Sequence, residues 1–155
     1  MQENKVLVAI QVPLLKGIRE IKLFLNQIEQ VAELEAASCI YKRFLNLRHE
    51  DLNSELVCVV KLVTYLDIDA LIALFQEAKL EKVGFVLSVN ETVRMVPDLT
   101  LPHPKLNVDE LILSCAAEAW GGYEHPVLKQ TLTELLTHRT MNSEVEFFAQ
   151  GTTLI

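Results

Sequence analysis

The stretch ELVCVVKLVTY, Glu55 to Tyr65, is the strongest β-strand signal in the chain, and what flanks it leaves few folds open. A second β-rich run, KVLVAIQV (Lys5 to Val12), is apolar at most positions, as expected of a strand covered by helices. Between them, Ile18, Ile21, Leu25 and Ile28 share one helical face, with Lys16, Arg19, Lys22 and Glu29 off it. LEAASCIY (Leu34 to Tyr41) reads as a weaker second strand, and residues 42 to 54 read as polar and irregular. Beyond Tyr65, Asp67 is placed as an N-cap and Asp69 sits in the first turn, near the positive end of the helix dipole. Leu71, Leu74, Phe75 and Ala78 form the expected buried stripe of that second helix. VGFVLSV (Val83 to Val89) is a strand, and the following NE and TVRMV suggest a turn and a short returning strand.

The order β-α-β-β-α-β is the ferredoxin-like pattern, an α+β fold with an antiparallel sheet and two helices on one face. After Pro97 the chain continues as helices. Asn107 and Glu110 have capping-box spacing, and the helix they open is expected to bury Leu111, Cys115 and Ala119 before Gly121 and Gly122 stop it. Pro126 is expected to open a last helix with the stripe Leu128, Leu132, Leu135 and Leu136. Residues 137–155 form a C-terminal extension in which Val145, Phe147 and Ala149 alternate against Glu144, Glu146 and Phe148. That spacing suits a strand, either pairing at the edge of its own sheet or offered to another chain. Residues 1–155 read as a single domain, since neither a linker nor a repeat interrupts them.

Half of the residues are hydrophobic and 23% are charged, so a packed core is expected rather than disorder. The formal charge of −7 argues against nucleic acid, whose phosphates demand a basic face. The one basic cluster, Lys42, Arg43, Arg48 and His49, runs straight into Glu50 and Asp51 and reads as a solvated loop. No apolar run approaches the roughly 18 residues of a membrane span. Glu3 and Gln11 make the N-terminal stretch a poor secretory leader and a good first strand. Cys39, Cys58 and Cys115 are odd in number, widely spaced and set among apolar or small neighbours, which suits reduced core residues and a cytoplasmic location. Trp120 is read as core, and His49 and His138 as exposed.

The segment PDLTLPHPKLNVDELILSCAAEAWGGYEHPVLKQTLTELL, Pro97 to Leu136, resembles the C-terminal part of the hydroxymethyldihydropterin pyrophosphokinases (HPPK) of folate biosynthesis. The likeness rests on Leu-Thr-Leu-Pro-His-Pro, on Glu118 in the helix that follows, on the pair His125–Pro126 and on the Thr…Glu-Leu-Leu ending. VAIQVPLLKGIREIKLFLNQI, ASCIYKR and LVCVVKLVTYLDIDALIALFQEAKLE look like that family's earlier strands and helices, so the resemblance spans about residues 5–136. It implies an HPPK-like, ferredoxin-like fold. It also implies transfer of a pyrophosphoryl group from ATP to a pterin hydroxymethyl, with magnesium held by paired aspartates.

Position by position, the implied machinery is missing. The family's early Gly-Ser-Asn falls on Gln11, Val12 and Pro13, and its pterin-contacting asparagine on Val57. The two metal-binding aspartates fall on Val83 and Phe85, which offer no oxygen to magnesium. The basic loop before that strand is reduced to Glu81 and Lys82. The arginine and stacking phenylalanine of the third helix fall on Asp109 and Leu111. Of the ligand-contacting set only His103 survives, either as a remnant nucleotide contact or as a histidine fixed in a proline-bound loop. The aspartates of LDID imitate the metal pair in letters, but helix capping accounts for both. The expectation is an inactive relative with no cofactor, acting through a protein partner, self-association or a remnant pterin or nucleotide cleft. The alternative is an active, divergent pyrophosphokinase using ATP and magnesium. The cleft beside Phe85 is expected to be apolar and small.

Overall fold

The computed structural model describes residues 2–45, 53–97, 99–139 and 145–154. Its elements are β1 (Asn4–Pro13), α1 (Gly17–Ile28), β2 (Ala32–Ala37), β3 (Ile40–Phe44), β4 (Ser54–Thr64), α2 (Ile68–Glu77) and β5 (Gly84–Val89). They are followed by β6 (Arg94–Val96), β7 (Leu99–Leu101), α3 (Lys105–Val108), α4 (Glu110–Trp120), α5 (Leu132–Thr137) and β8 (Val145–Ala149). β4 is the centre of an antiparallel sheet ordered β5-β1-β4-β3-β8, with β2 also paired to β4. β1 runs the full length of β4, from Asn4 opposite Thr64 to Pro13 opposite Glu55. β2 and β3 divide the other side of β4, Ala32 opposite Thr64 and Phe44 opposite Ser54. Taken as one interrupted strand, β2 and β3 complete the ferredoxin-like order.

Both faces of the sheet are covered, which explains the near-continuous apolar runs of β1 and β4. On one face Ile21, Phe24, Leu25 and Ile28 of α1 and Leu71 and Phe75 of α2 pack on Val8, Ile10, Cys58 and Val60. On the other, Leu111, Ile112, Cys115 and Ala116 of α4 and Leu132 and Leu135 of α5 pack on Leu7, Ala9, Val57 and Val59. The two ferredoxin-type helices therefore share one face and the C-terminal helices seal the opposite one. Among the described residues no helix is long and apolar enough to cross a membrane.

Several local expectations are corrected. The strand expected over 34–41 breaks at Ser38, whose hydroxyl accepts from the Val59 N–H at 2.9 Å and donates to the Cys39 carbonyl at 2.7 Å. β3 then continues to Phe44, so Lys42 and Arg43 belong to a strand rather than to a solvated loop; Arg48, His49, Glu50 and Asp51 lie outside the described residues. TVRMV does not return along β5 but forms the separate β6–β7 hairpin. Ala78 is exposed at the end of α2 rather than in its stripe.

The N-cap of α4 is Asp109, not Asn107, and accepts from the N–H groups of Leu111 and Ile112 at 3.1 and 3.2 Å. Pro126 opens no helix. It lies in a turn in which Lys129 takes a left-handed φ of 59°. α5 starts instead at a capping box between Thr131 and Glu134. β8 pairs antiparallel with β3, so the tail pairs at the edge of its own sheet. A bulge there puts Val145 against one core layer and Ala149 against the other, so the expected single-faced alternation does not hold; Glu144 lies outside the described residues.

Candidate functional site

His103 lies between the β6–β7 hairpin and α3, just past a cis Leu101–Pro102 peptide. Its backbone N–H donates to the Leu87 carbonyl of β5 at 2.7 Å, which fastens the loop to the sheet. Its Nδ1 accepts from the Lys105 N–H at 3.1 Å. The imidazole is half-buried against Phe85, ring centroids 4.8 Å apart and planes inclined by 43°. The Lys105 ammonium lies 5.3 Å from the Phe85 ring centroid. Burial first, and the Lys105 charge second, lower the His103 pKa below its ordinary value, so the ring is neutral at pH 7.

Phe85, Val57 and Leu111 come together in one apolar layer beneath α4. Val57 is fully enclosed, and Leu111 is buried beside it as part of the α4 core. Val83 does not join them. It precedes β5 and packs toward the opposite layer, under α1 and α2, while its carbonyl accepts from the Gln11 N–H at 2.8 Å. Val83 and Phe85, where the resemblance implied magnesium ligands, thus serve different cores, and neither side chain carries an oxygen. The residues present do not fit a magnesium pair there. Among the described residues no group of three His, Cys, Asp or Glu side chains is placed to hold a metal ion. Asp67 caps α2, accepting from the Ala70 N–H at 2.8 Å, and Asp69 pairs with Arg94 at 3.1 Å.

A polar network that local sequence patterns did not reveal closes the sheet end next to this layer. Asp109 takes Arg43 Nη1 on both carboxylate oxygens, at 2.9 and 2.8 Å. Glu55 Oε2 accepts from Arg43 Nε and Nη2 at 2.9 and 2.7 Å, and from Gln11 Nε2 at 3.2 Å. Burial disfavours the Arg43 charge, but the bonds to Asp109 and Glu55 outweigh it and its pKa is raised. Gln11 and Asp109 are therefore both engaged inside the protein. The alternation of IYKRF, with Tyr41 and Arg43 on one side, is the only local trace of this arrangement.

Several of the remaining singled-out residues make contacts within the fold. Glu118 accepts from the Cys39 N–H at 2.9 Å and from the Tyr41 hydroxyl, tying α4 to the break between β2 and β3. Trp120 is half-buried, with the Lys61 ammonium 4.2 Å above its ring. Cys39, Cys58 and Cys115 are free thiols, the last two buried. His138 is exposed, and His49 lies outside the described residues. His125 is buried, and its Nδ1 accepts from the N–H groups of Val127 and Leu128 at 3.2 and 3.1 Å.

No family model and no curated protein matches the chain. Solved structures do. A Plasmodium falciparum HPPK-DHPS with pterin and p-hydroxybenzoate superposes with a TM-score of 0.72 at 10% identity, over 88% of this chain and 44% of that one. Its wild-type counterpart with pteroate gives 0.71 at 12% identity, over 88% and 42%. A further HPPK-DHPS in complex with substrates gives 0.72 at 9% identity, over 94% and 48%. The fold is HPPK-like. The chain spans less than half the length of these structures, and at such identities the likeness establishes the fold alone.

Proposed function

We propose that this chain keeps the HPPK fold without the pyrophosphoryl transfer, and acts in the cytoplasm by binding a protein partner or itself. The observation that carries this reading is Phe85. At the position aligned with a magnesium-binding aspartate it stands as an aromatic ring, packed on the one surviving ligand-aligned side chain, His103. Phosphoryl-type transfer depends on metal and cationic charge placed around the moving group. Here Val83 and Phe85 supply no metal ligand, and Arg43, at the sheet end beside this layer, is held by two carboxylates, which leaves Lys105 as the cation near Phe85. On this reading no cofactor is required, and magnesium and ATP belong to the alternative, an active but divergent pyrophosphokinase. A remnant pterin or nucleotide site without chemistry is the third reading, and thermal-shift titration with ATP plus magnesium and with pterins tests it.

The decisive assay incubates the full chain with ATP, magnesium and hydroxymethyldihydropterin and measures AMP. The expected result is no pterin-dependent AMP release. Release that requires the pterin and disappears on chelating magnesium would establish the active alternative.

A further inference from the structure

The His103 loop carries a second feature. Between the β6–β7 hairpin, α3 and the turn at residues 125–128 lies a groove of about 320 Å³ that includes neither Phe85 nor Val57 nor Leu111. Its volume is at the lower end of the range of small-molecule pockets. Its walls are apolar, built by Val93, Met95, Leu101, Val108, Val127 and Leu128. Five of these six are among the most exposed large apolar side chains of the described protein, Met95 at 82% and Val108 at 73%. Such clustering is unusual for a surface with nothing to cover it.

The polar side chains in the groove are uncharged or imidazole. Thr100, His103, Asn107 and His125 line it, and no carboxylate does. His125 is only 7% exposed. Because its Nδ1 accepts two backbone N–H groups, the neutral ring carries its proton on Nε2. That Nε2–H has no partner among the described residues, and the groove is where the ring is open. His103 repeats the pattern, with Nδ1 accepting from Lys105 and Nε2–H unpartnered among the described residues. Asn107 uses its Oδ1 to accept from Arg139 at 2.6 Å, which leaves its amide N–H groups as donors. The groove therefore offers hydrogen-bond donors on apolar walls, with Arg139 adding positive charge beside Asn107. These donors face the open groove, where a charged acceptor oxygen makes a stronger bond than the water it replaces.

We propose that this groove binds a small apolar carboxylate, whose oxygens accept from His125 and His103 and whose hydrocarbon body covers Val108, Val127 and Leu128. Charge-assisted acceptance by a carboxylate is stronger than acceptance by a neutral oxygen, and an amine would meet donors with a donor. The proposal does not depend on whether the aligned cleft is catalytic.

The test titrates the full chain with sodium octanoate and sodium benzoate, and with octylamine as the charge-reversed probe, while the imidazole resonances are followed by NMR. The expected result is saturable binding of one or both carboxylates, at least about tenfold tighter than the amine, with the His125 and His103 signals moving. His125→Asn keeps an acceptor near the Nδ1 position for the two backbone N–H groups and removes the Nε2 donor; it should weaken binding at least about tenfold. Val108→Glu, at an exposed rim position, should weaken it as well by adding a like charge. The proposal is overturned by no saturation up to about 10 mM. It is also overturned by equal affinity for the amine, by binding that leaves both imidazoles unmoved, or by unchanged affinity in Val108→Glu.

Discussion

Removing the Asp109 carboxylate should destabilise the protein by about 3 kcal/mol. Asp109 has two structural tasks: it caps α4 through the Leu111 and Ile112 N–H groups, and it binds Arg43 through both oxygens. Loss of an N-cap costs about 1 kcal/mol. Loss of hydrogen bonds to a charged group costs about 1.5–3 kcal/mol. The Arg43 and Asp109 side chains are 21% and 18% exposed. That places the pair between a surface ion pair, worth little, and a fully buried one, where breaking one partner costs about 3–5 kcal/mol. Glu55 still holds Arg43 after the substitution, which keeps the cost below the buried limit. For a chain of this size about 3 kcal/mol lowers Tm by roughly 6–12 °C.

Urea and thermal unfolding of Asp109→Ala measure the sum, and Asp109→Ser, which keeps the cap, measures the ion pair alone. A double-mutant cycle with Arg43→Met should give a coupling of about 1–3 kcal/mol. Asp109→Arg should cost more than Asp109→Ala because it sets a cation against Arg43, and it should produce no pyrophosphokinase activity. A loss below about 0.5 kcal/mol in Asp109→Ala, or a coupling near zero, would refute the view that this network closes the sheet end.

Stability should fall in mild acid. Burial holds the His125 and His103 pKa values below their ordinary value, so the unfolded chain binds protons first; their contribution is full above that value, about 6.5, and is lost as pH falls through the folded pKa values. Thermal melts from pH 7.5 to 5 should show the loss, and His125→Asn should flatten it. The C-terminal tail should act as part of the domain: truncation after Arg139 is expected to lower Tm without changing molecular size, because it uncovers β3 and removes the buried Gly151 and Leu154. Gly151→Ala should do part of the same damage, since an added Cβ would sit 2.3 Å from the Ser38 carbonyl oxygen. A truncated chain of unchanged Tm, or one that loses a dimer, would show that the tail works between molecules instead.

The parts of the fold legible in the sequence were those in which one local pattern decides the outcome. β4 is apolar because it is enclosed on both faces, and the α1 stripe repeats because one side meets the sheet. Asp67 was readable as a cap because the residues after it begin a helical period at once. Asp109 was not, because Asn107 two residues earlier has the better-known spacing with Glu110, and the four-residue α3 intervenes. The Arg43–Asp109 pair joins residues 66 positions apart, so neither residue's neighbours announce it. Ser38 breaks a strand by placing its hydroxyl in the β4 ladder, and His125 holds a turn by accepting two N–H groups, where Pro126 had suggested a helix start. In each case a side chain competes with the backbone for a hydrogen bond, and periodicity does not register that competition.

The same distinction separates what this chain shares with the HPPK structures from what it does not. An apolar sandwich tolerates wholesale exchange of one hydrophobic residue for another when volume and pattern are kept, which accounts for a TM-score of 0.72 surviving at 10% identity. An active site tolerates no such exchange, because each ligand contact demands a particular donor or acceptor. On the proposed reading, positions freed from that demand took up the chemistry the fold itself favours. Val57 and Leu111 joined the layer under α4, Phe85 closed over it against His103, and Asp109 neutralised a strand arginine while capping a helix. Catalytic clefts hold polar groups apart in water at a cost in stability, so filling one and pairing its charges is a route to a more stable domain. On the same reading His103 serves the fold, because its backbone and Nδ1 anchor the loop to β5 and α3. Substituting His103 with Asn, which keeps the Nδ1-like acceptor, should therefore leave Tm nearly unchanged, whereas His103→Leu should lower stability by about 0.5–1.5 kcal/mol, the net worth of the lost bond from the Lys105 N–H. Equal and small effects of both substitutions would instead leave ligand contact as the reason this histidine persists.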